Sequence, residues 1–248
     1  MIVRVSRREK YLQAILDQIR EIARTGVAVH VLFSYDRASP EVALTLEGIH
    51  DYRPGWFSGV DLTVHIEPAP EPILSPGGQR WMQVLQQQYT QLLHKADCQI
   101  VMLWDDDMLF PQETLDALVA TFADPPDRVE AQTLFLWDSL TEHNAAFPEH
   151  WSAVAFRVYR EDQFPDDFVV HCPEMVARSN FCVKLASPVV NYGYLTDTDR
   201  ARAWGAQKEA GKIDAHSLCL IRPPRLRSIP PSCVIQPTRK STRTLESF

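Results

Sequence analysis

The sequence of 248 residues has little glycine, no closely spaced pair of cysteines and no long hydrophobic run. Its nine glycines, set against 18 prolines, indicate many fixed loops and few flexible ones. The five cysteines form no C-x-x-C pair, which argues against a structural zinc site or a disulfide framework and favours a reducing cytoplasm. Apolar runs such as residues 100–104 are far shorter than the roughly 18 residues of a membrane-spanning helix. Basic residues interrupt the start of the chain, so no signal peptide is expected.

The composition is that of an ordinary globular protein, with an uneven distribution of charge. Hydrophobic residues make up 45% and charged residues 23%, which excludes a disordered, collagen-like or coiled-coil chain. Residues 200–248 hold ten basic and three acidic side chains, which gives this stretch a charge of +7. Since the whole chain has a net charge of −7, the other 199 residues carry a charge of −14. This basic stretch predicts either a polyanionic partner or a solvated tail.

Hydrophobic periodicity predicts alternating strands and helices over the first 125 residues, which is typical of a mostly parallel, right-handed sheet flanked by helices. Strands are expected at residues 2–5, 27–33, 61–66 and 98–104. Helices are expected from residue 9, at 41–49 and at 79–96, and a further helix is expected to begin with Pro111 in its first turn. A proline-rich loop is expected at 67–78. The weaker second half predicts strands at 130–137, 152–159 and 189–194 and a helix at 198–210. The proline-rich end is expected to be an extended arm, wrapped on the domain or loose.

The most informative segment is WDDDMLFP at residues 104–111. Asp105, Asp106 and Asp107 follow a buried-type strand, and the carboxyl ends of such strands are where α/β folds bind ligands. Three adjacent carboxylates repel one another unless a cation compensates their charge. Mg²⁺ and Mn²⁺ suit such oxygen ligands and need only one or two carboxylates together with water and phosphates. An acidic helix start would explain one of the aspartates, so a divalent metal site is the favoured interpretation.

The run IVMLWDDDMLFP resembles the D-x-D segment of family-two glycosyltransferases with the GT-A fold. GGQRWMQVLQQQY is similar to the Gly-x-Arg helix start that precedes this segment, and residues 164–180 and 187–204 resemble a tail of many bacterial and phage members. The resemblance covers roughly residues 1–220. It implies a single GT-A domain with a nucleotide-sugar half at 1–125 and an acceptor half at 126–220, followed by the basic arm at 221–248.

The resemblance implies transfer of a sugar from a nucleotide diphosphate sugar, a UDP-sugar above all, to an acceptor hydroxyl with inversion. Asp105 and Asp107 match the D-x-D acids: Asp107 would hold Mn²⁺ or Mg²⁺ at the diphosphate, and Asp105 would share the metal site and face the ribose or sugar. Asp36 matches an acid that contacts the nucleotide base or ribose. Arg80 would reach the sugar or diphosphate, because a guanidinium suits phosphate oxygens.

One position departs from the family pattern. For the general base, the resemblance points to a segment of the chain and not to a single residue. The family's histidine before Tyr-Gly is Asn191 here, which leaves either Asn191 as an oxygen ligand of the metal or His171 in its place. Inverting transfer needs a carboxylate that takes the proton of the acceptor hydroxyl. Asp167 is favoured because it precedes the apolar residues 168–170 and would lie at a strand edge. The base candidates are Asp162, Asp166 and Asp167, with Glu174 behind them.

The acceptor stays open between two classes, and other functions remain as alternatives. A basic tail on a minimal enzyme of the bacterial or phage-host cytoplasm fits a modified DNA base, such as a hydroxymethylated one, as in phage DNA glycosylation. It also fits a glycan acceptor, with the tail on anionic lipid headgroups. A nucleotidyltransferase would also use strand-end acids and Mg²⁺ but needs a glycine-rich phosphate loop, and residues 3–11 contain no glycine. A non-enzymatic binding module leaves the three acids unexplained.

Overall fold

The computed structural model describes residues 1–5, 11–35, 59–68, 87–88, 90–147, 149–158, 181–209, 218–220 and 223–235. The first half contains β1 (Ile2–Val5), α1 (Leu12–Arg24), β2 (Val29–Tyr35), β3 (Leu62–Pro68), the helical segment α2 (residues 90–95), β4 (Ile100–Asp105), β5 (Met108–Leu109) and α3 (Gln112–Ala120). The second half contains β6 (Arg128–Phe135), β7 (Glu142–Asn144), β8 (Trp151–Arg157), β9 (Cys182–Lys184), β10 (Val189–Asn191), α4 (Asp197–Glu209) and β11 (Leu226–Ser228).

In the described residues, a central sheet of nine strands organises the fold. Its first part is parallel, with β3, β2, β1 and β4 side by side as the alternating pattern predicted. Its second part is mixed: β4 pairs with β8 and β8 with β6 in antiparallel fashion, β6 pairs with β10 in parallel, and β10 pairs with β5 in antiparallel fashion. The remaining strand, β9, pairs in parallel with β6. This mostly parallel α/β sheet with flanking helices confirms the predicted fold class.

The parallel strands are buried on both faces, which explains their near-continuous apolar sequences. Val3, Phe33 and Trp104 project into the main core with α1, whereas Ile2 and Leu103 project to the opposite face, where α2 packs. The buried stripe of α1 follows helical spacing, as its sequence predicted. Each such large side chain contributes roughly 1.5–3 kcal/mol when fully buried.

Several boundaries differ from the predicted ones. β3 runs through Pro68 into the loop expected at 67–78. Among the described strands β3 lies at the end of the order, a position that tolerates proline because its outer edge has no ladder to break. Pro111 is the N-cap residue of α3 and does not lie in its first turn. The rest of that loop, the helix expected at 41–49 and the first part of the helix expected at 79–96 lie outside the described residues.

The second half follows its predicted strands with shifts of a few residues. The three predicted strands correspond to β6, β8 and β10, and the predicted helix corresponds to α4. The sequence did not predict β5, β7, β9 and β11, because strands of two or three residues are too short for an alternating pattern to register.

The described part of the basic arm, residues 223–235, wraps onto the domain. β11 pairs in antiparallel fashion with β7, and the Ile229 N–H donates to the Thr141 carbonyl at 2.9 Å. Ile229 and Cys233 are buried in the main core. Of the two predicted alternatives, the wrapped one therefore holds for these residues. None of the described helices is long and apolar enough to span a membrane.

Candidate donor and metal site

A row of polar residues crosses the parallel strands at their carboxyl ends. Asp105 of β4 is in register with Arg4 of β1, Arg4 with Ser34 of β2, and Ser34 with Glu67 of β3. The Nε2 atom of Gln88, a buried residue, donates to the Ser34 hydroxyl at 2.6 Å. The sheet thus changes from apolar to polar at the edge where parallel α/β sheets bind ligands.

The acidic turn follows β4 directly and is held by a buried tryptophan. Asp106 and Asp107 form the turn between β4 and β5, and Asp106 is only 4% exposed. The indole N–H of Trp104 donates to the Met108 carbonyl across this turn at 2.8 Å. The Trp104 ring also meets Phe110 edge-on at 4.6 Å between centroids. The backbone that carries the three carboxylates is therefore fixed from the core side.

Hydrogen bonds join the acidic turn to Asn191, although 84 residues separate Asn191 from Asp107. The Asn191 Nδ2 atom donates to Asp107 Oδ1 at 3.0 Å, and Asn191 Oδ1 accepts from the Gly193 N–H at 2.8 Å. The Tyr192 N–H donates to the Asp107 carbonyl at 2.7 Å. The structure thus brings together Asp107 and Asn191, two residues that the sequence analysis placed in one site.

Tyr192 links this site to the basic arm. Its hydroxyl donates to the Ile235 carbonyl at 2.9 Å, and its ring lies 4.9 Å from the ring of Tyr11 between centroids. Burial, and secondarily Tyr11, raise the pKa of Tyr192 well above its usual value. Tyr192 is therefore a neutral hydrogen-bond donor at physiological pH, and it holds residue 235 next to the segment that contacts Asp107.

The donor set suits a hard divalent cation that is shared with a ligand. The carboxylates of Asp105 and Asp107 offer oxygen atoms at the end of one strand, the chemistry that Mg²⁺ and Mn²⁺ prefer. In the part of the chain that the structure describes, no group of three or more His, Cys, Asp or Glu side chains could hold a metal ion. Mg²⁺ needs only one or two carboxylates when phosphates and water complete its coordination, and Asp105 and Asp107 are of that type.

The sequence analysis missed a cluster around Arg200, which is 8% exposed. Its guanidinium forms ion pairs with Asp138, at 2.8 Å, and with Asp197. The guanidinium also donates to the Tyr194 carbonyl at 2.9 Å and lies 4.3 Å from the centre of the Trp137 ring. Asp138 has a left-handed backbone with φ of 58°. The acidic TDTD segment at residues 196–199, where α4 begins, is a helix-start signal that could have indicated this end of the cluster.

Most of the other predicted site residues lie outside the described residues, so their roles stay predictions. These residues are Asp36, Arg80, Asp162, Asp166, Asp167, His171 and Glu174.

Comparison with solved structures identifies the fold. The chain is similar to the mannosyltransferase PcManGT from Pyrobaculum calidifontis in complex with GDP-Man and Mn²⁺, with 15% identity and a TM-score of 0.50. The match covers 84% of this chain and 62% of the mannosyltransferase. The chain has the fold of a glycosyltransferase. It spans about three fifths of the length of that protein.

This glycosyltransferase fold is the one that the D-x-D resemblance implied. Weaker matches are two structures of S. aureus TarS, residues 1–349 and a longer chain, both at 14% identity, with TM-scores of 0.44 and 0.42. They cover 89% of this chain and 68% and 41% of theirs. No family model and no curated protein matches the sequence.

Proposed function

We propose that this chain is a metal-dependent glycosyltransferase that transfers a sugar from a nucleotide diphosphate sugar to an acceptor hydroxyl, with inversion. The observation that carries the proposal is the acidic turn at the carboxyl end of β4, joined by hydrogen bonds to Asn191 and Tyr192. The likeness in fold to a mannosyltransferase solved with GDP-Man and Mn²⁺ supports it. A UDP-sugar is the proposed donor. A GDP-sugar is the second donor to test, because the mannosyltransferase was solved with GDP-Man.

In this mechanism the chain binds the donor and moves one proton. Asp105 and Asp107 would hold Mn²⁺ or Mg²⁺, which would supply positive charge to offset that of the departing diphosphate. Asp36 and Arg80 orient the nucleotide and its diphosphate. A carboxylate, Asp167 first among the candidates, accepts the proton of the acceptor hydroxyl as that oxygen attacks the sugar from the side opposite the leaving group.

The first experiment measures thermal unfolding of the full chain with Mn²⁺, with UDP or GDP, and with both together. The proposal predicts that metal and nucleotide diphosphate together raise the melting temperature more than the sum of the separate shifts, because each ligand would strengthen the binding of the other. A screen of nucleotide sugars for slow hydrolysis then identifies the donor. A nucleotidyltransferase would instead release pyrophosphate from a nucleoside triphosphate, and that result would replace the present proposal.

We propose further that the basic stretch serves the acceptor, by binding modified DNA or by contacting anionic lipid headgroups beside a glycan acceptor. Arg225 and Arg227 are exposed, and Leu226 between them is 42% exposed. Pairing of β11 with β7 holds the two arginines at the surface, with Cα atoms about 7 Å apart in extended chain. They offset locally the −14 charge of residues 1–199, which would repel a polyanion.

Neutralising the basic stretch tests this acceptor role. Replacing Arg225, Arg227, Arg239 and Lys240 with glutamine is expected to weaken acceptor use and to flatten its salt dependence, by about one unit of log–log slope for each phosphate that the variant no longer neutralises. Donor affinity is expected to stay the same. Replacing Arg24 and Lys95, basic residues of the first half, gives a matched control. Unchanged use of both duplex DNA and anionic-membrane acceptors would make the stretch a solvated arm.

A further inference from the structure

The orientation of the Asn191 amide separates two roles that the sequence analysis left open. We propose that Asn191 is a positioning residue that orients the Asp107 carboxylate, and that it does not itself coordinate the metal. The inference rests on the metal site of the proposed function. It replaces the expectation that the asparagine supplies an oxygen ligand where the family has histidine.

The hydrogen bonds at the two ends of the amide leave one orientation. The Gly193 N–H can only donate, so the atom 2.8 Å from it is the amide oxygen. An ionised carboxylate can only accept, so the atom 3.0 Å from Asp107 Oδ1 is the amide nitrogen. Turning the amide to point its oxygen toward the carboxylate would place donor against donor at Gly193 and acceptor against acceptor at Asp107.

The main chain keeps Asn191 in this position. Asn191 is the last residue of β10 and is in register with Phe135 of β6 on one side and Met108 of β5 on the other. Its carbonyl accepts from the Leu136 N–H at 3.0 Å, and the residue is only 8% exposed. With the main chain fixed, turning the amide oxygen toward a metal would break the side-chain hydrogen bonds to the Gly193 N–H and to Asp107 Oδ1.

The bond to Asp107 has a direct consequence for metal binding. A hydrogen bond from a neutral amide to a charged carboxylate is stronger than one between neutral groups, and it fixes the rotation of the carboxylate plane. Residues that orient a metal ligand in this way typically change metal affinity by about 10–100-fold when they are removed. Asn191 would therefore matter for metal binding through Asp107 alone.

A cysteine exchange distinguishes a ligand from a positioning residue. Thiolates favour Cd²⁺ over Mn²⁺, so a cysteine at a true ligand position changes the ratio of the two affinities. In Asp107→Cys, the positive control, the ratio of Cd²⁺ to Mn²⁺ affinity is expected to rise at least about tenfold, and in Asn191→Cys both affinities are expected to fall by about 10–100-fold with the ratio unchanged. Calorimetry with each metal alone measures both quantities, and the metal-free melting temperature checks folding.

A second measurement needs no metal. With a chelator present, the melting temperatures of Asn191→Ala, Asp107→Ala and the double variant form a cycle. The proposal predicts that the two changes are not additive, by about 2–4 °C, because each removes the same hydrogen bond. Asn191→Ala is also expected to weaken Mn²⁺ binding, and Asn191→Ser, which keeps a donor, to restore part of it.

Two results would overturn the proposal, and they differ from each other. A rise of the Cd²⁺ to Mn²⁺ ratio in Asn191→Cys as large as in Asp107→Cys, with additive melting temperatures in chelator, would make Asn191 a direct ligand. If neither cysteine variant changes the ratio while the wild-type chain binds Mn²⁺, the metal does not lie at Asp107, and the proposed donor site fails together with the positioning role.

Discussion

The two halves of the sheet differ in the length of the strands that complete them. The parallel half has strands of four to seven residues, whereas β5, β9 and β10 of the mixed half have two or three. In the parallel half, β2 lies between β1 and β3, and the hydrophobic periods of α1 and of these strands are visible in the sequence. In the mixed half, β10 pairs with β6 and β5, and the basic arm returns to pair with β7. The site lies where the halves meet, because Asp107 belongs to one and Asn191 to the other. The first half supplies the acidic groups and the second half holds them in place.

The largest expected effect comes from removing an acid of the first half. Asp107→Ala is expected to abolish Mn²⁺-dependent nucleotide diphosphate binding and sugar transfer while the fold stays intact, because it removes a metal ligand and also relieves repulsion among adjacent carboxylates. Binding is measured by calorimetry and folding by thermal unfolding. Asp116→Ala, at an exposed position of α3, is the control. Unchanged donor turnover in a folded Asp107→Ala protein would contradict the metal assignment.

The next effect concerns the proton acceptor, which belongs to the second half. One of Asp162→Asn, Asp166→Asn and Asp167→Asn is expected to lower the transfer rate by about 10² or more, the usual scale for loss of a general base. Donor affinity is expected to remain, since the change keeps the shape of the side chain. The measurement is kcat alongside the donor Kd.

Equal activity in all three variants would place the base elsewhere. Glu174 is then the next candidate in sequence. Among the described acids Asp197 follows, because its side chain is 98% exposed at the start of α4, six residues after Asn191.

A smaller effect is expected where the two halves touch through the acidic turn. Trp104→Phe removes the indole N–H that donates to the buried Met108 carbonyl, at a cost of about 1–3 kcal/mol for the unsatisfied carbonyl. Mn²⁺ affinity is expected to fall as well, because the turn loses its support. Trp151→Phe is the matched control, since its N–H donates to Glu149 at an exposed position. Equal urea midpoints for the two variants would contradict the prediction, because they would show that the Trp104 hydrogen bond does not stabilise the acidic turn.

Sequence reasoning reached the two halves unequally, for a physical reason. A strand such as β2 or a helix such as α1 has enough residues for its period to appear, and the apolar run before Asp105 indicated the end of a buried strand. The strand β5, which pairs with β10 beside Asp107, has only two residues, too few for a period to appear. The Arg200 cluster likewise depends on Asp138 and Trp137, which no local spacing connects to it.

The smallest expected effect is the acid sensitivity of each half, which partly buried histidines control. Burial lowers the pKa of His65 on β3, with Lys95 and His30 adding to the effect and Glu67 opposing it. In the second half burial lowers the pKa of His143, with Arg227 adding to it, and burial alone lowers that of His150. The unfolded chain therefore binds more protons than the folded chain once the pH falls below about 6.5, the ordinary histidine pKa. Stability is expected to be level above that pH and to decline below it.

Urea midpoints between pH 7.5 and 5.5 measure how steeply stability declines with pH. The variant His65→Gln tests the contribution of the first half, and the double change of His143 and His150 to glutamine tests that of the second half. Identical slopes in all three proteins would show that neither half controls the acid limb.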